Sequence, residues 1–313
     1  MTPPVPETAP NPIAPETWTG AFEPYVVGSA GRAASRVQPR FVPRFAQRPD
    51  TVLDGVVVNG PDDAVSVTVR AASVRGLSHR AYATVRQDEY ALRVTPDHHY
   101  LVLCVADGVS SGRYSHYAAS WGAQDGADEL VQRLANAAPD DLDWPDFLGW
   151  LARLIVEYAA RWVDDLPPEP VAVAREMATV LTFAIVELGP AHTVHLLTVG
   201  DTSGWIIGAD GHWHPLQPVK NAGADIYSSS VAALPLLPSV LPEPVRTELR
   251  PGETLALMTD GIGDPLGDGS GAVGRFLAES WREPPADLAF AAQVGFARSS
   301  FDDDRTAIAV WPH

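Results

Sequence analysis

Cysteine is almost absent from the sequence, with one such residue among 313. A single thiol cannot form an internal disulfide, and no thiol cluster is present that could hold zinc or an iron–sulfur centre. The residue, Cys104, lies in the apolar run 101–105, which predicts a buried structural thiol. Packing must therefore stabilise the fold, and any metal site must use other ligands.

Positive charge and long apolar runs are also scarce. The chain has 22 Lys and Arg against 39 Asp and Glu, so its net charge of −17 argues against nucleic acid as a partner. No run reaches the about eighteen apolar residues of a membrane span, and the first residues lack the basic start and apolar core of a secretory signal. We therefore expect a soluble, cytoplasmic protein without a membrane or nucleic-acid partner.

The first 60 residues differ in composition from the rest. Prolines are frequent in the opening stretch, and a Pro-Arg-Phe sequence occurs at both 39–41 and 43–45. Proline favours extended backbone over a packed core, so residues 1–60 are predicted to be a Pro-rich, Arg-containing extended tail or linker. The repeat is either a solvated linker or a segment that docks on its own domain or on a partner. Residues 61–313 are predicted to form one folded domain.

Hydrophobic periodicity divides residues 61–313 into blocks of strands and helices. Alternation at 65–70 predicts a half-buried strand, and further strands are predicted at 100–106, 180–188, 193–199, 205–207, 254–258 and 307–311. Helices are predicted at 115–137, 145–163, 273–281 and 285–298. Strands and helix pairs are segregated and several connections are short, which favours α+β layers with antiparallel pairing over a doubly wound sheet.

Four aspartates stand at the ends of strand-like runs or in turns. Their surroundings are Val105-Ala106-Asp107-Gly108, Val199-Gly200-Asp201-Thr202, Met258-Thr259-Asp260-Gly261 and Asp302-Asp303-Asp304-Arg305. A carboxylate buried at a strand end is costly without a compensating charge, and several converging oxygens favour Mg²⁺ or Mn²⁺. Two such ions would activate a shared water and make hydrolysis of a phosphate ester the natural reaction. Each Asp-Gly alone is also typical of a turn.

These four sequences, preceded by Gly76-Leu77-Ser78-His79 and Gln87-Asp88, resemble the ordered motifs of the bacterial metal-dependent type 2C protein serine/threonine phosphatases. The resemblance spans about residues 65–312. It implies a four-layer α-β-β-α sandwich, with two antiparallel sheets flanked by helix pairs, and it makes residues 61–313 a type 2C phosphatase-like catalytic domain. It also implies two Mn²⁺ or Mg²⁺ ions at one end of the sandwich, with a third ion possible.

The resemblance gives each motif a role at the metal centre. Asp107 would bridge both ions, the Gly108 carbonyl would bind the second ion, and Asp260 and Asp303 would complete the first. Asp88 would orient a metal-bound water from the outer shell, which makes Asp107 and Asp88 the expected catalytic residues.

Two further positions are implied more loosely. Asp201 matches the position that helps to form a third, weaker metal site in bacterial members of the family. Residues 220–244 fall where the family carries a variable flap beside the catalytic centre, and they are either that substrate-selecting flap or a plain surface loop.

The chain also departs from the family pattern. Gln87 and Ala83 occupy positions where the family usually has glutamate and arginine, so the second metal is expected to bind more weakly. Phosphate binding then needs another cation, and the candidates by proximity in sequence are His79, Arg80, Arg86 and Arg113. Val109 replaces a histidine proposed as the general acid in some members, so water or another group would protonate the leaving group.

Three functions remain open at this point. The leading one is a metal-dependent phosphatase that removes phosphate from serine or threonine of phosphorylated proteins, the targets of a cognate kinase, by attack of metal-bound hydroxide. The second is a catalytically weakened pseudophosphatase that binds phosphoproteins or scaffolds a kinase. The third is a phosphohydrolase of small molecules.

Overall fold

The computed structural model describes residues 25–29, 48–61, 63, 65–218 and 232–313. The Pro-Arg-Phe repeat and residues 220–231 of the predicted flap lie outside these ranges. Eleven strands are described: β1 (Thr51–Asn59), β2 (Ser66–Val74), β3 (Glu89–Val94), β4 (Tyr100–Gly108), β5 (Thr179–Glu187), β6 (His192–Val199), β7 (Ser203–Ile207), β8 (Trp213–Pro215), β9 (Val245–Leu249), β10 (Thr254–Met258) and β11 (Arg305–Pro312).

Seven α-helices are described over the same ranges: α1 (Leu77–Tyr82), α2 (Ser115–Leu134), α3 (Trp144–Trp162), α4 (Pro170–Glu176), α5 (Asp260–Leu266), α6 (Ala272–Ser280) and α7 (Asp287–Val294). The helices predicted from periodicity correspond to α2, α3, α6 and α7. None of the described helices combines the length and the apolar character that a membrane crossing requires.

The strands form two antiparallel sheets. One sheet has the order β1-β2-β11-β10-β7-β8 and the other has the order β3-β4-β5-β6-β9. Each strand pairing in both sheets is antiparallel. The α+β architecture expected from the segregated blocks is confirmed.

Alternating side chains of the strands build three apolar layers. On β4, Val102 and Cys104 pack against α2 and α3, whereas Leu101 and Leu103 pack between the two sheets. The outer face of the six-stranded sheet packs against α5, α6 and α7 through an aromatic cluster of Trp205, Trp213, Trp281, Phe290 and Trp311. The layers are therefore helix, sheet, sheet and helix, as the family resemblance implies. Cys104 is fully buried, and burial raises the pKa of its thiol.

Part of the predicted tail belongs to the folded structure. Residues 51–59 form β1, which pairs with β2 from Thr51 opposite Val74 to Asn59 opposite Ser66. The segment 25–29 also packs on the domain, since the Val27 amide donates to the Ala297 carbonyl at 3.1 Å. The tail boundary at residue 60 is therefore corrected. Six of the nine residues of β1 are exposed, so the strand lacks the clear alternation that identifies β2.

Phe183 offers a test of the layer between the helices and the five-stranded sheet. Its ring is fully buried on β5, and its centroid lies 5.2 Å from that of Phe147 on α3. Phe183→Ala should lower the free energy of unfolding by about 3–5 kcal/mol because it leaves a cavity. Leu288→Ala, at a position that is 77% exposed, should change it by less than about 0.5 kcal/mol. Urea denaturation measures both, and equal losses would contradict this layer assignment.

Candidate metal centre

The strand register brings the acidic turns of the sequence to one end of the sandwich. The end of β4 pairs with the start of β5, with Gly108 opposite Thr179. The end of β10 pairs with the start of β7, with Met258 opposite Ser203, and it lies beside the start of β11. The turns at this end contain Asp88, Asp107, Asp201, Asp260 and Asp303.

Four of these carboxylates line one cavity of about 680 Å³. They are Asp107, Asp201, Asp260 and Asp303, the residues predicted to bind metal through their side chains. The other described residues around this cavity are small, apolar or hydroxylic, and none is Lys, Arg or His. Four carboxylates that share one cavity repel one another, and a bound cation would offset that repulsion.

The ionisation of these carboxyls reflects their crowding. Burial, together with the charges of Asp88, Asp260 and Asp303, raises the pKa of Asp107 well above its usual range. Burial and the charges of Asp201 and Asp303 raise the pKa of Asp260 to about 6, against the opposing effect of its hydrogen bond with Asp107. A divalent cation reverses both shifts because it favours the charged forms. The oxygen-only donors fit Mg²⁺ or Mn²⁺.

Glycine follows two of the aspartates because neighbouring backbone approaches closely there. A Cβ at Gly108 would lie 2.8 Å from the carbonyl oxygen of Ser115 in the first turn of α2, and 3.0 Å from that of Gln87. A Cβ at Gly261 would overlap the carbonyl oxygen of Asp304. The loops that carry the carboxylates therefore pack directly on one another at both glycines.

Asp304, which carries no role in the sequence-based assignment, fixes the loop before β11. It is 2% exposed, and its two oxygens accept hydrogen bonds from the amides of Gly76 at 2.6 Å and Gln87 at 2.5 Å. The amide of Asp304 in turn donates to Oδ1 of Asp303 at 2.8 Å. Asp304 thus connects the first motif to the loop that carries Asp303.

His79 lies on the same side of the centre. Its Nδ1 is 2.9 Å from Asp304 Oδ1 and its Nε2 is 3.8 Å from Asp303 Oδ1. Burial lowers the pKa of His79, but the contact with Asp304 and the charges of Asp304, Asp303 and Asp88 outweigh burial, so its pKa is raised. Ligand atoms of His79, Asp303 and Asp304 all lie within 4.8 Å of one another. Since both Asp304 oxygens already accept backbone hydrogen bonds, His79 is better described as a neighbour of Asp304 and Asp303 than as part of a separate metal site.

Asp88 lies behind the cavity in a buried polar network. Its Oδ2 accepts a hydrogen bond from Thr259 Oγ1 at 2.8 Å, and Thr259 directly precedes Asp260. Burial and the charges of Asp304 and Asp303 raise the pKa of Asp88 well above its usual range. The adjacent Gln87 is also buried, and its Oε1 has no hydrogen-bond partner in the part of the chain that the structure describes. These placements are compatible with an outer-shell position for Asp88.

The three arginines predicted to bind phosphate make their contacts outside the cavity. Arg86 is 1% exposed and donates to the carbonyl oxygens of Pro49 and Asp88 and to Ser73 Oγ. These contacts give Arg86 a structural role, so its prediction as a phosphate-binding residue is corrected. Arg80 Nε is 3.9 Å from Asp50, and the Arg113 guanidinium stacks over the Tyr114 ring. None of the three, nor His79, is among the described residues that line the cavity.

Comparisons with known proteins agree with this geometry. A family model described as Protein phosphatase 2C matches residues 75–289, more than half of the chain. No curated protein matches the sequence. Among solved structures, the chain is similar to a bacterial serine phosphatase, with a TM-score of 0.53 and 14% identity over 77% of this chain and 96% of that chain.

Two further structures show the same fold at low identity. The catalytic domain of the serine/threonine protein phosphatase PstP, in complex with two manganese ions, has a TM-score of 0.52 and 17% identity, covering 80% of this chain and 99% of that one. PppA of Pseudomonas aeruginosa has a TM-score of 0.51 and 15% identity, and the match covers 82% of this chain and 100% of that one. With its two-sheet sandwich, its converging aspartates and the match over residues 75–289, the chain belongs to the protein phosphatase 2C family.

Proposed function

We propose that this chain is a metal-dependent protein serine/threonine phosphatase that hydrolyses phosphoserine and phosphothreonine. The observation that supports it most directly is the single cavity that Asp107, Asp201, Asp260 and Asp303 line together. Bound Mn²⁺ or Mg²⁺ supplies the Lewis acidity that binds phosphate and lowers the pKa of a coordinated water. The two manganese ions of the PstP structure support a centre of two ions.

Each residue around the cavity has a defined task in this proposal. Asp107 and the Gly108 carbonyl would hold the ions together with Asp260 and Asp303, and Asp201 would contribute to an accessory third site. Asp88 would orient the attacking water from the outer shell, because its carboxylate is fixed by Thr259 next to Asp260. A cytoplasmic location and a cognate kinase whose targets are the substrates stay predictions.

A protein substrate is favoured over a small ester by a second cavity beside the first. This apolar groove, of about 810 Å³, runs along α3 and shares Leu236 and Leu237 with the cavity of the aspartates. Helix α4 lines both, through Pro170 in the groove and Ala174 in the cavity. A polypeptide with its phosphate at the metal centre could place a neighbouring apolar side chain in the groove, whereas a small metabolite would leave it empty.

Two observations support the alternative that the chain is a catalytically weakened pseudophosphatase. Gln87 supplies a neutral oxygen where the family usually has a carboxylate, and no Arg or His is among the described residues that line the cavity. Both features predict weak catalysis rather than loss of the principal carboxylates. Turnover measurements distinguish this alternative from an active enzyme.

Removal of Asp107 tests the activity. With Mn²⁺, the wild-type chain should hydrolyse a phosphothreonine peptide and an aryl phosphate, and Asp107→Ala should lower kcat/KM on both by about a hundredfold or more because a proposed metal ligand is lost. Asp164→Asn, at an exposed aspartate outside the site, is the matched control. Wild-type turnover no greater than that of Asp107→Ala would support the pseudophosphatase.

The raised carboxyl pKa values predict how metal affects stability. In the metal-free protein Asp260 has a pKa of about 6, against about 3.9 in the unfolded chain. The folded state therefore retains protons that the unfolded state releases, and this group lowers stability as pH rises through that interval. The Tm measured in chelator should fall between about pH 4 and pH 7, and Mn²⁺ should raise it more at about pH 7 than at about pH 5. Asp260→Asn should show a shallower decline, and an identical profile would contradict the prediction.

Filling the groove tests the substrate class. Ala160 is exposed on α3 and lines the groove, so Ala160→Trp should lower kcat/KM for a phosphopeptide with apolar flanking residues by about five- to tenfold. Activity on an aryl phosphate should be unchanged, because the variant lies outside the metal cavity. Ala135→Trp, at an exposed alanine that ends α2, is the control. Unchanged peptide hydrolysis in Ala160→Trp would exclude the groove from substrate binding.

A further inference from the structure

Arg48 connects the predicted tail to the back of the metal centre. Its Nη1 donates to the carbonyl oxygen of His116 at 3.1 Å and lies 3.4 Å from that of Arg86, while its Nη2 forms an ion pair with Glu89. The side chain is 16% exposed, so the guanidinium is largely desolvated and these acceptors offset the cost. This buried arginine belongs to a segment that composition assigns to a tail.

The two residues after Arg48 are anchored to the same region. The Pro49 carbonyl accepts from Arg86 Nε at 3.2 Å. The Asp50 carbonyl accepts from the Arg75 amide at 2.7 Å, and its carboxylate accepts from Arg75 Nη1 at 3.0 Å. Residues 48–50 therefore form a hydrogen-bonded strap across the first motif.

The two backbone segments that Arg48 joins are those that meet at the metal centre. Arg86 stands two residues before Asp88, and His116 lies in the first turn of α2. Gln87 follows Arg86 and Ser115 precedes His116. The carbonyl groups of Gln87 and Ser115 are the nearest groups to a Cβ placed at Gly108. Arg48 thus holds, from the outside, the two segments that enclose the Asp107-Gly108 turn.

The ion pair with Arg48 also explains where the Glu89 side chain lies. This is the acidic side chain nearest in sequence to Asp88 and Gln87, and it is 12% exposed with Arg48 as its partner. Its pairing with Arg48 directs it toward the strap, and it is not among the described residues that line the cavity. Glu89 therefore does not replace the carboxylate that Gln87 lacks.

We propose that Arg48 is a positioning residue of the metal centre. It sets the separation between residues 86–89 and the start of α2, and so places Asp88 and the Gly108 carbonyl for metal and water. This inference depends on one part of the proposed function, namely that the centre binds Mn²⁺.

A role in positioning and a role of charge alone predict opposite effects on metal affinity. Arg48 carries a positive charge close to the centre, so its removal by itself should strengthen the binding of a cation. Loss of positioning should weaken binding, because ligands held in the wrong place bind metal poorly. The direction of the change in the Mn²⁺ dissociation constant therefore separates the two.

The test uses the full chain and titration calorimetry with Mn²⁺, at a temperature where circular dichroism shows every variant to be folded. Arg48→Ala should weaken Mn²⁺ binding by about five- to tenfold, at the low end of the effect of outer-shell partners. Arg48→Lys, which keeps the charge but cannot reach all three acceptors, should restore part of the affinity. Arg250→Ala, at an exposed arginine paired with Glu248, should have no effect. Equal or tighter binding by Arg48→Ala would overturn the proposal.

Hydrogen exchange of the metal-free protein provides a measurement that does not depend on the ion. The amides of residues 86–89 and 107–116 should exchange faster in Arg48→Ala than in Arg250→Ala, and equal rates would overturn the positioning role. If the wild-type chain failed to bind Mn²⁺, the proposed function would fail while the exchange comparison would still decide the role of Arg48.

Discussion

Repulsion among carboxylates at one end of the sandwich is the constraint on which the rest of the structure depends. Two unit charges about 4 Å apart interact by about 4 kcal/mol at the effective dielectric of a protein surface, and Asp107, Asp201, Asp260 and Asp303 share one cavity. The buried strands that precede Asp107 and Asp260 keep these groups together against that repulsion. A divalent cation converts the same arrangement from a cost to folding into binding energy, so fold stability and metal affinity are linked.

The loops that carry the carboxylates hold their positions through a surrounding layer of buried polar contacts. Asp304 receives two backbone amides, Thr259 donates to Asp88, and Arg48 approaches two backbone carbonyls. Most of these contacts join a side chain to the main chain of a different loop, so each fixes the relative placement of two segments. The placement of the carboxylates thus depends on groups that are not among the described residues lining the cavity.

The parts predictable from sequence are those with a local physical signature. Apolar runs and periodicity identify the core strands and the long helices, and acidic residues after such runs predict aspartates that line the shared cavity. Helices α1, α4 and α5 have six or seven residues each, too few turns to show a period. Arg48 and Asp304 bond to backbone groups, which any residue supplies, so no sequence pattern identifies them. Arg86 lies near the site in sequence, yet its guanidinium points into the interior.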